Sequence, residues 1–443
     1  MSEPLFRSGH RALTAALLVM ATMVCPPPPS GWGYPLDGYG ATGIARLEGY
    51  RQAPGGKIRG RVLPSGAFLT TDQVALRLRG HSDLELPKPD IEFTAQIRDF
   101  LGEEADRYGF SVLDLSDLSH PRYAEHRGQI PYNPGSVGKL AVALALFQAL
   151  ADLYPDDLFA RSRVLRTTMV TADRFSLTDE HKVPFWDEAR KKIVERPIAK
   201  GDRASLWTYL DWTLSASSNA AASMVLKEAM LMVHFKAAYP VSEDSADRFL
   251  KETPKKHLTA LLRKTLQDAL TRNGLDLKYF RQGGFFTWMG RTVVPGVYSR
   301  GTSRELMRFL LRLEQGRLVD PYSSEEMKRL LYLTRQRIRY AASPALEESA
   351  LYFKSGSLYS CTKNSNVPCE KYKGDVVNMM NSVAIVESPA ENRRLYYMTV
   401  LMSNVLGKNS AVAHQTFATR LHRLIERFHG GGKGAQAQKP SGK

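Results

Sequence analysis

From Leu140 to Ala151 the chain is almost wholly apolar, with Gln148 its one interruption. A helix that is apolar on every side belongs in a protein core, so this run predicts a buried helix. Apolar positions at Ile91, Ile97, Phe100 and Leu101 predict a helix over Ile91 to Tyr108, ended by Gly109. Phe110 to Leu115 alternates loosely and predicts a strand. From Ser136 to about Ala342 the pattern is mainly helical, with capping-box spacing at Thr302-Ser303-Arg304-Glu305 and Ser323-Ser324-Glu325-Glu326. Strands return at Leu351 to Lys354, Ser382 to Glu387 and Leu395 to Met402, and an amphipathic helix closes the pattern at Ala411 to Phe428. This order predicts an α/β (α+β) domain over residues 89–429. Its antiparallel sheet is built from both chain ends and flanked by helices, with an all-helical lobe (about 131–345) inserted between.

Composition widens the picture. At 443 residues and 43% hydrophobic content the chain supports a large core, and it exceeds the roughly 250–300 residues at which one core stops growing. Net charge is 61 − 45 = +16, which favours anionic partners. No basic low-complexity arm or zinc-finger spacing points to nucleic acid; an anionic cell-envelope surface, or no specific partner at all, fits the charge equally well.

The N-terminus supplies a compartment. Arg7, His10 and Arg11 precede an apolar run from Ala12 to Val24, the layout of a secretory signal peptide over residues 1–25. The run is too short for a comfortable transmembrane span. Cys25 directly after it is a candidate lipid anchor, although Val24 is a poor fit for the small residue that precedes a lipidated cysteine. The mature protein is expected to be exported, periplasmic or extracellular. Cys361 and Cys369, eight apart in a polar insert, are then expected to form a disulfide. No histidine lies at ligand spacing from them, and neither metal nor cofactor is expected. Residues 26–88 read as a linker or extension, starting with Pro26–Pro29. Their short apolar pieces (Arg61-Val62-Leu63 and Val74 to Leu78) form a hairpin or wrap the main domain. Residues 430–443 are rich in Gly, Lys and Gln and read as a disordered tail. Nothing in the sequence sets the oligomeric state.

Candidate chemistry sits at the entrance to the apolar helix. In Ser136-Val137-Gly138-Lys139 the serine and lysine share a helix face, so Lys139 can take the Ser136 proton. The helix N-terminus adds free N–H groups where an oxyanion could form. Alone this pattern also describes a serine that caps a core helix. Two further motifs change that. Ser217-Ser218-Asn219 falls at a join between helical runs, and Lys354-Ser355-Gly356-Ser357 at the end of a strand. Taken singly these are caps, a solvated lysine and a turn glycine.

The order Ser-x-x-Lys, Ser-x-Asn, Lys-Ser-Gly resembles the penicillin-recognising serine hydrolases, the class A β-lactamases and D,D-peptidases. The resemblance spans roughly residues 90 to 428 and implies a β-lactamase/transpeptidase-like fold. It implies acyl transfer through an ester on Ser136, with neutral Lys139 as base. Burial and a second ammonium at Lys354 would favour that neutral form. Ser217 relays a proton between the lysines and the leaving group, and Asn219 binds the substrate amide and orients Lys139. Backbone N–H groups of Ser136 and Ser357 would form the oxyanion hole. Lys354 and Ser355 suit a substrate carboxylate, and Gly356 lets substrate lie against the strand edge.

The match is incomplete. Class A β-lactamases use a glutamate between the second and third motifs to clear the acyl-enzyme. Residues 275–302 carry Asp276 as their only carboxylate and are otherwise basic, glycine-rich and aromatic. Efficient deacylation by that route is not expected. The gaps between motifs are also long, notably around Arg161 to Lys200, where an insertion could reshape the cleft or bind a partner. Three functions follow: a β-lactamase-like hydrolase acting on β-lactams, a D,D-carboxypeptidase or endopeptidase acting on peptidoglycan stem peptides, and a non-enzymatic envelope protein that binds peptidoglycan or a partner. A pure binder has no need of Ser136, Lys139, Ser217, Asn219 and Lys354 together. An α/β-hydrolase is excluded because Pro134 takes the first glycine position of Gly-x-Ser-x-Gly.

Overall fold

Five strands form one antiparallel sheet: β1 (Tyr108–Asp114), β2 (Arg122–His126), β3 (Ala350–Ser360), β4 (Val377–Ser388) and β5 (Leu395–Asn404). Their order across the sheet is β2-β1-β5-β4-β3. The computed structural model describes residues 37–52, 64–334, 337–362 and 369–430. The expected signal peptide with Cys25, the Pro26–Pro29 run, Arg61-Val62-Leu63 and the tail beyond Gly430 lie outside the described residues.

The sheet joins both chain ends, as expected, and both of its faces are covered. Along β5, Tyr396, Met398, Val400 and Met402 enter the core beneath the inserted lobe. The alternate residues Leu395, Tyr397 and Leu401 enter a second core, shared with the helix Ile91–Arg98 and the C-terminal helix Ser410–Phe428. Burial on both faces is why β4 and β5 read as dense apolar runs rather than as alternation.

Several expectations are corrected. The first helix ends at Arg98, and the chain continues as 3-10 turns broken at Gly102 (φ 56°). Gly109 is no helix terminator; it pairs with Met402 inside β1. Strand β2 has no apolar signature in the sequence, because its charges at Arg122, Glu125 and His126 hide the alternation. The lobe is not all-helical. It holds a hairpin, Lys182–Asp187 with Lys192–Pro197, and two short strand pairs. Only Val183 and Pro184 of that hairpin are buried, and charges at Lys182, Asp187, Lys192, Glu195 and Arg196 interrupt it, so it lacks the apolar density that marks a buried strand. Of the two capping boxes, Thr302 does cap its helix, accepting from Glu305 N. The second helix, Pro321–Tyr332, is capped instead by Asp320, and Ser323 lies inside it.

The described part of the N-terminal extension wraps the domain and forms no hairpin. Ile44, Leu47, Val74 and Leu78 join the main core. Arg46 is fully buried and binds both Asp211 oxygens at 2.7 and 2.8 Å and the Leu333 carbonyl at 2.9 Å. Further along, Ala75 O accepts from Lys328 Nζ at 2.8 Å, and Arg77 binds Glu387 at 3.1 and 3.2 Å. Cys361 and Cys369 are joined, closing the insert that follows β3.

Candidate active site

The predicted apolar helix is α1 (Lys139–Leu153), buried from Lys139 through Leu150. A single 3-10 turn, Gly135–Gly138, leads into it and presents Ser136. Gly135 adopts φ 53°, the left-handed region that glycine enters without cost. Asn133 secures the turn: its side chain accepts from Gly135 N at 3.0 Å, and its carbonyl accepts from Asn381 Nδ2 on β4 at 2.9 Å.

Strand parity delivers the second lysine. Ala350 and Tyr352 of β3 face the core beneath the lobe, so Lys354 and Gly356 point the same way. Lys354 Nζ donates to Ser217 Oγ at 2.7 Å and to Ser355 O at 2.8 Å. Gly356 passes so close to the Ser136 turn that a Cβ there would lie 2.5 Å from both Pro134 O and Ser136 N. Its first requirement is therefore backbone approach between strand and turn. That approach sets the amides of Ser136 and Ser357 beside one another, since a Cβ on Gly135 would lie 3.4 Å from Ser357 N.

The third motif joins two lobe helices, α2 (Leu206–Leu214) and α3 (Asn219–Phe235). The cap of α3 is Ser218, which accepts from Ala221 N at 3.1 Å. Ser217 is thereby free of capping duty, and Asn219 begins the helix. The Lys139 ammonium has three acceptors: Ser136 Oγ at 2.9 Å, Ser217 O at 2.7 Å and Asn219 Oδ1 at 2.7 Å. Lys139 is fully buried. Burial pulls its pKa down to about 7, the Asp179 charge opposing and the Arg339 charge reinforcing that shift. Burial first, then the charges of Lys139 and Arg339, push Lys354 well below the usual lysine range.

Three contributors had no signal in the sequence. Arg339, also left-handed (φ 57°), donates to Ser355 Oγ at 2.8 Å, Ser357 Oγ at 3.1 Å and Tyr372 OH at 3.0 Å. Its buried Nε has no acceptor among the described residues. It belongs to the run Arg335-Gln336-Arg337-Ile338-Arg339, in which nothing distinguishes one arginine from the next. Phe286 lays its ring 4.8 Å from Lys139 Nζ, a cation–π contact. Asp179 accepts from Ser218 Oγ and Ala220 N, each at 2.8 Å. Burial works against its charge, but the His181 contact and these hydrogen bonds outweigh it and bring the pKa to about 2.

A cleft of about 1190 Å³ opens between sheet and lobe, with Asn219, Phe286, Arg339 and Tyr372 on its wall. Ser136, Ser217 and Lys354 line it together with Ser355, Ser357, Leu358 and Tyr359 of β3 and parts of the segment from Gln282 to Ser299. Within that last segment's neighbourhood, the Asp276 carboxylate accepts from Lys278 N at 2.7 Å and so caps its own turn. What the segment turns onto Lys139 is Phe286.

Fold and cleft define a serine hydrolase of the penicillin-recognising class. Residues 92–424 match the model of the β-lactamase enzyme family, and the chain belongs to that family. Among curated proteins no sequence matches. Solved structures similar in fold include PBP-A, at 13% identity and TM-score 0.48, covering 78% of this chain and 99% of that one. A β-lactamase from Sphaerobacter thermophilus DSM 20745 is 14% identical, with TM-score 0.48 and coverage of 77% and 99%. One from Desulfarculus baarsii DSM 2075 is 18% identical, with TM-score 0.46 and coverage of 76% and 99%.

Proposed function

We propose that this hydrolase transfers the acyl group of β-lactams or related D-Ala-D-Ala-type amides onto Ser136. The observation that carries the reading is the 2.9 Å contact between Lys139 Nζ and Ser136 Oγ, made by a buried lysine whose pKa falls to about 7. At that pKa a large fraction of Lys139 is neutral near pH 7 and can act as base. Neutral Lys139 takes the hydroxyl proton as Ser136 Oγ attacks the amide carbonyl. The oxyanion is received by the N–H groups of Ser136 and Ser357. The C–N bond then breaks, and Ser217 passes its hydroxyl proton to the leaving nitrogen. Lys354, hydrogen-bonded to Ser217 Oγ, is placed to replace that proton. Arg339, with the hydroxyls of Ser355 and Ser357, receives the substrate carboxylate.

Release of the ester needs an activated water. The residue packed on Lys139 from the 282–299 wall is Phe286, which cannot accept a proton. This favours a slow second step with β-lactams, and it supports a second reading as a peptidoglycan D,D-carboxypeptidase or endopeptidase. Both readings suit an exported, basic protein, soluble or anchored through Cys25.

Intact-mass spectrometry after incubation with penicillin tests the assignment. Wild type is expected to gain one penicilloyl mass and Ser136→Ala none. No adduct on wild type, or an equal adduct on the variant, refutes it. An adduct lost within minutes marks a drug-hydrolysing enzyme. One that persists for hours, with turnover of a D-Ala-D-Ala peptide, marks the peptidase.

A further inference from the structure

The turn Ser217-Ser218-Asn219 holds two of the three Lys139 acceptors on a backbone that needs outside support. Ser217 is a non-glycine residue at φ 60°, a conformation that persists only where its surroundings over-determine it. Local contacts supply part of that support: Ser218 N donates to Trp212 O at 3.0 Å, and Ser218 Oγ accepts from Ala221 N at 3.1 Å. The rest comes from Asp179. One carboxylate oxygen accepts from both Ser218 Oγ and Ala220 N, on either side of Asn219. The other contacts His181 Nδ1 at 2.6 Å and His181 N at 3.3 Å. The Asp179 side chain is 2% exposed, whereas His181 is half exposed and lines the cleft. Asp179 lies between the helix Leu158–Thr167 and the Lys182–Pro197 hairpin, within the long gap that separates the first two motifs.

We propose that Asp179 is a positioning residue for the reaction: its carboxylate clamps the 217–219 turn so that Ser217 O and Asn219 Oδ1 meet the Lys139 amine. This rests on the acyl-transfer reading of Ser136. An anion that merely stabilises a helix N-terminus needs only the Ala220 contact. The bond from Ser218, the near-complete burial and the His181 contact at the cleft wall set this carboxylate apart. Its charge also reaches Lys139. The charged groups around that amine are Asp179 from the lobe segment, Lys354 from β3 and Arg339 from the loop before β3. Glu180, His181 and Lys182 flank Asp179 along the cleft. Asp179 raises the Lys139 pKa, while burial and Arg339 lower it.

Two variants separate clamp from charge. Asp179→Asn keeps an acceptor for Ser218 and Ala220 but removes the charge; Asp179→Ala removes both. Acylation by penicillin, per folded molecule at the pH plateau, is expected to fall roughly tenfold or more in Asp179→Ala and only a few-fold in Asp179→Asn. The acid limb of the Asp179→Asn profile is expected at lower pH, because the ammonium has lost a favourable charge. A helix-cap role alone would lower Tm in both variants and leave rate and limb unchanged, and that result overturns the proposal. Carbon-13 NMR of ε-labelled lysines, with Lys139 assigned through Lys139→Gln, reads the titration without any substrate. A lower midpoint in Asp179→Asn supports the proposal, and midpoints unmoved in both Asp179→Asn and Asp179→Ala overturn it. No penicillin adduct on wild type combined with a moved midpoint would refute acyl transfer and leave the positioning intact. An adduct with unmoved rate and midpoint would do the reverse.

Discussion

Lys354 Nζ donates to Ser217 Oγ at 2.7 Å, joining the sheet to the lobe across 137 residues of sequence. The contact ties a buried amine to the hydroxyl of the residue whose carbonyl accepts from Lys139 at 2.7 Å. Ser217→Ala leaves Lys354 with Ser355 O as its remaining acceptor among the described residues and removes the proton relay. Acylation of Ser136 is expected to fall by about 100-fold. Lys354→Ala should cost a similar factor, and the double variant little more than either, because the two residues act as one unit. Stopped-flow acylation rates measure this; two fully multiplicative losses would contradict it.

The charge state of Lys139 sets a pH profile. With a pKa of about 7, the base is protonated and idle below that value, so acylation should rise with pH and reach half its plateau near pH 7. Arg339→Gln removes a positive charge that lowers this pKa, which moves the limb to higher pH. Rates flat between about pH 5 and 8 would be incompatible with Lys139 as the base.

Arg339 makes a second, separable prediction. Its N–H groups donate to Ser355, Ser357 and Tyr372, and its Nε has no acceptor among the described residues, so it suits a carboxylate better than a neutral group. Arg339→Ala is expected to raise KM about tenfold or more for substrates bearing the carboxylate. The same variant should change KM little for an analogue whose carboxylate is esterified. Equal effects on both substrates would remove Arg339 from that role.

Gly356 is constrained by contact. Gly356→Ala places a methyl 2.5 Å from Ser136 N and Pro134 O, and backbone atoms on both sides leave little room to yield. The expected cost is about 1–3 kcal/mol of stability, seen in urea denaturation. Acylation should fall by more than tenfold, because Ser136 and Ser357 are pushed apart. A variant with unchanged stability and rate would mean that the turn adapts freely.

Outside the lining of the cleft, Lys328 Nζ lies 2.6 Å from Glu314 and 2.7 Å from Glu387, all three side chains fully buried. Lys328→Met leaves two carboxylates facing each other without their shared cation. Destabilisation of about 3–5 kcal/mol is expected, read from denaturant midpoints. A loss under about 1 kcal/mol would show that Arg77 and Arg393, which also contact Glu387, suffice to hold the carboxylates.

Elements were legible in the sequence where burial is uniform. α1 was readable because it is apolar all round, and β4 and β5 because both sheet faces are covered. β2 and the Lys182–Pro197 hairpin were not, since edge position and exposure let charge interrupt their alternation. The end of the first helix at Arg98 carries no signal, because Ile97, Phe100 and Leu101 keep helical spacing across it. The N-terminal wrap was obscured for a different reason. An arginine in a Gly- and Tyr-rich stretch reads as solvated, and Arg46 is buried only because Asp211, 165 residues away, neutralises it.

Local geometry explains what the sequence determined by itself. Helical spacing places Lys139 beside Ser136 whatever the rest of the chain does, and motif order puts a serine–asparagine pair and a second lysine downstream. Tertiary structure decided the rest. Whether Lys139 holds a proton depends on how completely it is buried and on charges from Asp179 and Arg339, each far from it in sequence. Proton affinity answers to solvation and to fields over a few ångströms. Those quantities exist only once distant segments have been brought together.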